Sequence, residues 1–99
     1  MSEDERNSEF LIYLQDLIDK RKAELPEGSY TTKLFKKGIN KISQKFGEEA
    51  VELIIEAKDS NDNLFLNEAA DVMYHLLVLL SEKNCRIEDV IEILKERHK

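Results

Sequence analysis

An all-α fold is the class that this sequence predicts, and three observations favour it. Apolar residues recur three and four positions apart in several long segments, which is the spacing of one helix face. The chain has only three glycines and one proline in 99 residues. No stretch of any length alternates apolar and polar residues as a half-buried strand would. We therefore expect antiparallel helices joined by short loops, in a single domain over residues 1–99 of which residues 1–7 are flexible.

The first half of the chain predicts two helices. The first is expected from about Ser8, as N-cap, to about Leu25, where Pro26 follows. The second begins at a threonine cap a few residues later and continues to about Lys58. Gly38 lies inside its apolar pattern, at a cost of roughly 1 kcal/mol relative to alanine. This glycine marks either a break between a short and a long helix or a close approach of two backbones.

The second half predicts two further helices, and the first of these is the most apolar part of the chain. It is expected from about Leu64 to Lys83 and leaves almost no polar face, so it should be buried nearly all round. A chain of 99 residues cannot easily enclose such a helix. We therefore expect a homodimer that completes the core. The last helix follows Arg86, and its apolar stripe begins at Ile87.

The composition limits the location and the partners. Hydrophobic residues make up 41% and charged residues 36%, which is typical of a soluble, helix-rich domain. No apolar run reaches the roughly 18 residues that span a bilayer, and the acidic N-terminus lacks the apolar stretch of a signal peptide. The single cysteine, Cys85, cannot form an internal disulfide, which favours a reducing, cytoplasmic location. The net charge of −6 argues against binding to nucleic acid or to a membrane.

Basic residues are concentrated in one segment. Residues 28–47 contain no acid and five lysines, so this segment carries +5 and the rest of the chain −11. A basic patch beside an acidic cluster suits a metal–polyphosphate ligand, because ammonium groups neutralise the phosphate oxygens that the metal does not contact. The alternative is a solvated lysine face that only offsets the acidic helices.

Five acidic residues form two short motifs, Glu48-Glu49-x-x-Glu52 and Glu68-x-x-Asp71. Helix positions three or four apart share a face, so each motif is a small carboxylate cluster, and a short loop between the helices would bring the two together. Carboxylates in one crevice repel each other unless a cation lies among them, and Mg²⁺ prefers oxygen ligands. The alternative is that these are ordinary solvated side chains. That alternative fits Glu68 and Asp71 least, because they interrupt the most apolar helix and burial of unpaired carboxylates is costly.

His75 follows Asp71 by one helical turn and has two interpretations. As a metal ligand it would favour zinc or iron, and the commoner alternative is a buried, hydrogen-bonded histidine. Tyr74 is expected to pack, and no role is expected for Cys85. A di-iron helical bundle requires Glu-x-x-His on two helices, and the sequence contains no Glu-x-x-His.

Taken together, these motifs and their flanks resemble the phosphoribosyl-ATP pyrophosphatase family, a branch of the MazG-like all-α nucleoside triphosphate pyrophosphohydrolases. The resemblance covers roughly residues 10–98. It is carried by Ser29-Tyr30-Thr31, Leu34-Phe35, Gly38, Lys41-Ile42, Gln44-Lys45-Phe46-Gly47-Glu48-Glu49-Ala50-x-Glu52 and Glu68-Ala69-Ala70-Asp71-x-x-Tyr74-His75-Leu76-Leu77-Val78-Leu79-Leu80.

The resemblance implies a fold and a reaction. The fold is a four-helix-bundle-like MazG-type arrangement, completed by dimerisation. The reaction is the Mg²⁺-dependent hydrolysis of phosphoribosyl-ATP, a small-molecule nucleotide, to phosphoribosyl-AMP and pyrophosphate, which is the second step of histidine biosynthesis. It further implies the free-standing form of the enzyme, without the cyclohydrolase domain that some relatives carry.

The resemblance also implies roles for individual residues. The metal, Mg²⁺ or Mn²⁺ in its place, would be held by Glu49, Glu52, Glu68 and Asp71. Catalytic roles fall to Glu48, Glu49 and Glu52, and the base that takes the proton from water is left open between Glu48 and Glu52. Substrate binding falls to Lys45, Lys41, Lys37, Tyr30, Thr31 and His75.

Two positions depart from the family pattern, and two rival functions stay open. Phe46 stands where the family usually has a small aliphatic residue, and Arg86 replaces the usual capping serine of the last helix. One rival is a housecleaning enzyme of the same fold that hydrolyses dUTP or damaged triphosphates. The other is a non-catalytic helical module that dimerises and uses its acids for solubility.

Overall fold

The structure, a computed structural model, describes residues 3–99. Five α-helices form this described part of the chain. They are α1 (Glu3–Glu24), α2 (Tyr30–Lys37), α3 (Ile39–Ala57), α4 (Asp62–Glu82) and α5 (Ile87–Arg97). The all-α class is therefore confirmed.

The start of α1 lies earlier than predicted. The helix begins at Glu3, whereas the sequence placed its N-cap at Ser8, because the apolar stripe that signalled the helix starts only at Phe10. The flexibility expected of residues 1–7 stays a prediction, and Met1 and Ser2 lie outside the described residues.

Gly38 separates α2 from α3, so the first of its two interpretations is confirmed. Its backbone has φ +88° and ψ −171°, a conformation that is essentially restricted to glycine. A Cβ built at this residue would meet nothing within 4 Å, so close backbone approach is not the reason for the glycine. The cap predicted to be threonine is Ser29, whose Oγ accepts a hydrogen bond from the Thr32 N–H at 3.3 Å.

Helices α3 and α4 form an antiparallel hairpin over the short connector 58–61. Asn61 caps α4 by accepting a hydrogen bond from the Leu64 N–H at 3.1 Å. Helix α1 runs parallel to α4, since Gln15, Asp19 and Lys22 bond to positions 62 residues further along the chain. The direction therefore alternates from α1 to α3 to α4, as short connections require.

The core lies where these helices meet. Its buried apolar residues are Ile18, Leu34, Ile42, Leu77, Val78 and Ile87, and every helix contributes at least one. Gln15 is fully buried among them. Its Nε2 donates to the Leu77 carbonyl at 3.1 Å, and its Oε1 accepts from the Ile87 N–H at 3.0 Å. Gln15 thus satisfies an otherwise unpaired donor in the first turn of α5.

Arg86 joins α5 to α1 by charge. Its guanidinium binds Asp16 at 2.6 Å, Asp19 at 2.8 Å and Glu88 at 3.1 Å, and the bond to Asp16 is the main cause that raises the pKa of Arg86. Its backbone N–H donates to Asp89 Oδ2 at 2.9 Å. The start of α5 is therefore held by ion pairs from Arg86 to carboxylates of α1 and α5, and by the acceptors Asp89 and Gln15.

As expected for a helix that one copy of this chain cannot enclose, α4 keeps an exposed apolar side. Leu66 is 62% exposed, and on the neighbouring α3 Val51, Ile54 and Ile55 are 57–60% exposed. By length and hydropathy alone α4 could also cross a bilayer, a property that core helices of soluble proteins share. Its other side, with Leu77 and Val78, is buried in the core.

Candidate active site

Three of the predicted metal ligands converge between α3 and α4. One carboxylate oxygen from each of Glu49, Glu68 and Asp71 lies within 4.8 Å of the other two. The hairpin explains this convergence, because Glu49 and Asp71 stand at similar distances from the connector on opposite arms. Three anions at this separation repel each other, and a shared divalent cation removes that repulsion.

Glu68 carries the strongest sign that the cluster suits a cation. Its Oε2 is buried and has no hydrogen-bond partner. The pKa of Glu68 is raised from 4.5 to about 7, first by loss of hydration and then by the neighbouring carboxylates of Glu52 and Glu49. A buried oxygen without a donor is costly, and an ion of Mg²⁺ type would satisfy it. The donor set therefore fits a hard divalent cation.

Two further glutamates on α3 lie along the same stripe. Glu52 lies close enough to Glu68 to raise its pKa, but it is not one of the three residues whose carboxylate oxygens converge. Glu56, one turn beyond Glu52, has a buried Oε2 without a partner. Glu56 lies outside the two acidic motifs of the sequence. The signal for it was its position, since it continues the Glu49–Glu52 stripe by one turn.

Glu48 belongs to a different group of side chains. Its Oε1 accepts a hydrogen bond from Gln44 at 2.8 Å, and its Oε2 lies 3.5 Å from the Lys45 ammonium. The bond from Gln44 is the first cause that lowers the pKa of Glu48, and Lys45 and Lys41 lower it further. Glu48 is thus an ionised partner of the basic patch and a weak base.

Of the predicted basic residues, Lys45 lies nearest the carboxylates. Its pKa is raised by Tyr30 first and then by Glu48 and Glu49. Lys41 is half-buried on the same face of α3, and Lys37 is exposed at the end of α2. Lys41 and Lys45 thus lie one turn apart on α3, whereas Lys37 lies on a different helix.

His75 is buried at 5% exposure, and both of its ring nitrogens are occupied. Nδ1 lies 2.7 Å from the Asp71 carbonyl oxygen, and Nε2 lies 2.8 Å from the Tyr30 hydroxyl. The structure therefore favours the hydrogen-bonded histidine over the metal ligand. Tyr30 is 48% exposed, and its pKa is raised by loss of hydration while Lys45 lowers it.

Thr31 is placed differently from its neighbour. It is buried at 2% exposure, and its hydroxyl is hydrogen-bonded to the hydroxyl of Tyr74. A substrate would not reach it without moving Tyr74. Thr31 and Tyr74 therefore join α2 to α4 behind the site, while Tyr30 stands at its edge.

The fold and this site define a class: all-α proteins in which two antiparallel helices present a carboxylate cluster for a divalent cation, with lysines beside it. Comparison with known proteins narrows the class. The family model for phosphoribosyl-ATP pyrophosphohydrolase matches residues 11–98. The chain belongs to this family.

Curated relatives cover nearly the whole chain. It is 56% identical over 95% of its length to a histidine biosynthesis bifunctional protein HisIE of Bacteroides thetaiotaomicron, and it covers 48% of that protein. It is 48% identical to the phosphoribosyl-ATP pyrophosphatases of Leptospira biflexa and Clostridium acetobutylicum, over 91% and 92% of its length and 98% and 83% of theirs. The chain thus spans about half the length of the bifunctional relatives that it matches.

Proposed function

We propose that this protein hydrolyses phosphoribosyl-ATP to phosphoribosyl-AMP and pyrophosphate, the second step of histidine biosynthesis, with Mg²⁺ as cofactor. The observation that carries the proposal is the convergence of Glu49, Glu68 and Asp71 within 4.8 Å, with a buried Glu68 oxygen that has no donor. Family membership supports the choice of reaction. The exposed, unpaired Cys85 is compatible with the cytoplasm as the proposed location.

In this proposal the carboxylates of Glu49, Glu68 and Asp71 hold the cation, and Glu52 stands beside them. When bound, Mg²⁺ or Mn²⁺ neutralises charge on the phosphate oxygens and makes a water more acidic. In the hydrolysis itself, the oxygen of one water would form a bond to phosphorus as the bridging P–O bond of the α–β phosphoanhydride breaks. Pyrophosphate would leave, and the general base would take the proton from the water.

The general base is assigned by comparing the two open candidates. The pKa of Glu48 is lowered by Gln44 and Lys45, so its carboxylate accepts a proton poorly. Glu52 lies beside Glu68, at the carboxylate cluster. Glu52 is therefore the base in this proposal, and Glu48 holds Lys45 in place.

Lysines supply the remaining charge compensation. Lys45 is the cation nearest the carboxylates, and its Nζ lies 3.5 Å from Glu48. It would bind a phosphate oxygen on which charge accumulates during displacement. Lys41 and Lys37, further from the cluster, would attract the anionic nucleotide toward it.

A homodimer is part of the same proposal. The apolar side of α3 and α4 includes Val51, Ile54, Ile55 and Leu66, each more than half exposed, and exposed apolar patches are typical of protein–protein interfaces. A second copy of the chain would cover it beside the acidic cluster. Sedimentation should then give a mass near twice 11.6 kDa, and a monomer at micromolar concentration would refute the dimer.

Pyrophosphate release is the direct test of the reaction. Phosphoribosyl-ATP, dUTP and ATP are compared with Mg²⁺ and with EDTA. We expect turnover of phosphoribosyl-ATP only, and only with metal. Glu52→Gln should lower kcat by roughly a hundredfold or more, while Glu92→Gln, an exposed residue of α5, serves as control.

Other outcomes identify the rivals. Turnover of dUTP or ATP without phosphoribosyl-ATP would identify a housecleaning enzyme. The absence of turnover together with a melting temperature that does not respond to Mg²⁺ would identify a non-catalytic helical module.

A further inference from the structure

The position of the proton on a neutral His75 ring follows from its two hydrogen bonds. The Asp71 carbonyl oxygen can only accept, so the Nδ1 that lies 2.7 Å from it must carry a proton. In the neutral ring Nε2 then has a lone pair and accepts from the Tyr30 hydroxyl at 2.8 Å. The imidazole is 5% exposed, so water does not readily replace either partner.

This arrangement fixes what Tyr30 can offer. The Tyr30 hydroxyl has one hydrogen, which it donates in its hydrogen bond to His75 Nε2. The Tyr30 oxygen therefore has only lone pairs to offer other partners. Tyr30 is 48% exposed at the edge of the crevice, and Lys45 and Glu49 are among its charged neighbours. An unprotonated phosphate oxygen also has lone pairs only, so Tyr30 cannot donate to it while His75 is bound.

We propose that His75 is a positioning residue that presents the Tyr30 hydroxyl oxygen to the active site as a hydrogen-bond acceptor, for a water or a substrate hydroxyl. This inference rests on the proposed function. The same ring also holds the backbone of Asp71. The His75 ring therefore holds Tyr30 of α2 and the backbone of Asp71 of α4 in fixed positions relative to each other.

The tautomer can be observed without any substrate or metal. Long-range ¹H–¹⁵N correlation spectra of the imidazole distinguish a proton on Nδ1 from one on Nε2. We expect the Nδ1–H form for His75 in the wild-type protein, and the second histidine, His98, serves as the internal reference for an exposed ring. An Nε2–H tautomer at His75 would overturn the proposal, whatever the activity.

Kinetics test whether His75 acts through Tyr30. Tyr30→Phe removes the hydroxyl, and His75→Asn keeps a donor for the Asp71 carbonyl but removes the acceptor for Tyr30. Each should lower kcat/KM roughly tenfold, the effect of one lost hydrogen bond. The double variant should lose no more than either single variant. Tyr13→Phe, an exposed tyrosine of α1, is the control and should behave as wild type.

The outcomes separate the possible donors. If Tyr30→Phe lowers kcat, the group that donates a hydrogen bond to the Tyr30 oxygen is the attacking water. If Tyr30→Phe raises KM, that group is a substrate hydroxyl. His75→Gln, which can return an acceptor to the Nε2 position, should recover part of the loss. Full activity of Tyr30→Phe, or losses that multiply to roughly a hundredfold in the double variant, would overturn the proposal.

The failures of the two proposals are distinguishable. If the wild-type protein releases no pyrophosphate, the reaction is wrong, while the tautomer measurement still decides the arrangement of His75. If His75→Asn does not fold, as judged by circular dichroism, the spectra and Tyr30→Phe still decide.

Discussion

The pKa of Glu68 predicts how metal binding depends on pH. In the metal-free protein this carboxyl has a pKa of about 7, because it loses hydration and lies beside Glu52 and Glu49. A ligand carboxylate must be ionised to bind a cation. Binding of Mg²⁺ at pH 6 should therefore release about nine-tenths of a proton, and at pH 8 about one-tenth. The apparent affinity should fall about tenfold for each pH unit below 7.

Calorimetry measures this proton release directly. Titrations with Mg²⁺ or Mn²⁺ in two buffers of different ionisation enthalpy give the number of protons exchanged at each pH. Proton release that is the same at pH 6 and pH 8 would refute the reasoning, as would an affinity that does not change across this range.

The same shift affects stability, with the opposite sign. The pKa of Glu68 is higher in the folded protein than its usual 4.5, so the folded state binds the proton more tightly than the unfolded state. This contribution to stability is complete below pH 4.5 and is lost as pH rises through about 7. The melting temperature of wild type should thus fall relative to that of Glu68→Gln between pH 5 and pH 8, and parallel curves would contradict the shift.

Three further predictions concern the fold and the dimer. Gln15→Met fills the same space without hydrogen bonds and should lower the free energy of unfolding by roughly 2–4 kcal/mol in urea, because the Ile87 N–H is orphaned; a loss under about 0.5 kcal/mol would contradict this. Gly38→Ala should lower the free energy of unfolding by about 1–3 kcal/mol because of the backbone conformation of Gly38. Gly47→Ala, inside α3, should raise it by up to about 1 kcal/mol. Equal effects of the two substitutions would contradict a special role for the Gly38 backbone. Ile55→Asp should sediment as a monomer, and a persistent dimer would show that another surface is used.

Much of this structure could be predicted from the sequence because it depends on spacing. Helix periodicity gave the five-helix order once Gly38 was allowed to break a helix. The spacing of the acidic motifs gave Glu49, Glu68 and Asp71 as neighbours, since a short connector forces the arms of a hairpin together. These features depend on residues within one helix or within one helical hairpin.

What could not be predicted depends on distant parts of the chain. Gln15 sits on the apolar stripe of α1, and only the position of α5, 72 residues later, explains a buried glutamine there. The proton position on His75 depends on Tyr30, which is 45 residues away. Glu48 and Glu49 are adjacent in the sequence, yet one bonds to Gln44 and Lys45 while the other meets α4. The spacing of a motif does not predict which partners two adjacent residues contact.

The ion pairs of Arg86 have a consequence for exchanging residues between relatives. Arg86→Ser would place a common capping residue before α5, and a serine cap is typically worth about 1 kcal/mol. In this chain it would also leave Asp16 and Asp19 without the Arg86 cation and with each other as neighbours. The effect of the substitution is therefore epistatic: it should be harmful here unless the two aspartates change with it, although serine by itself is a good helix cap.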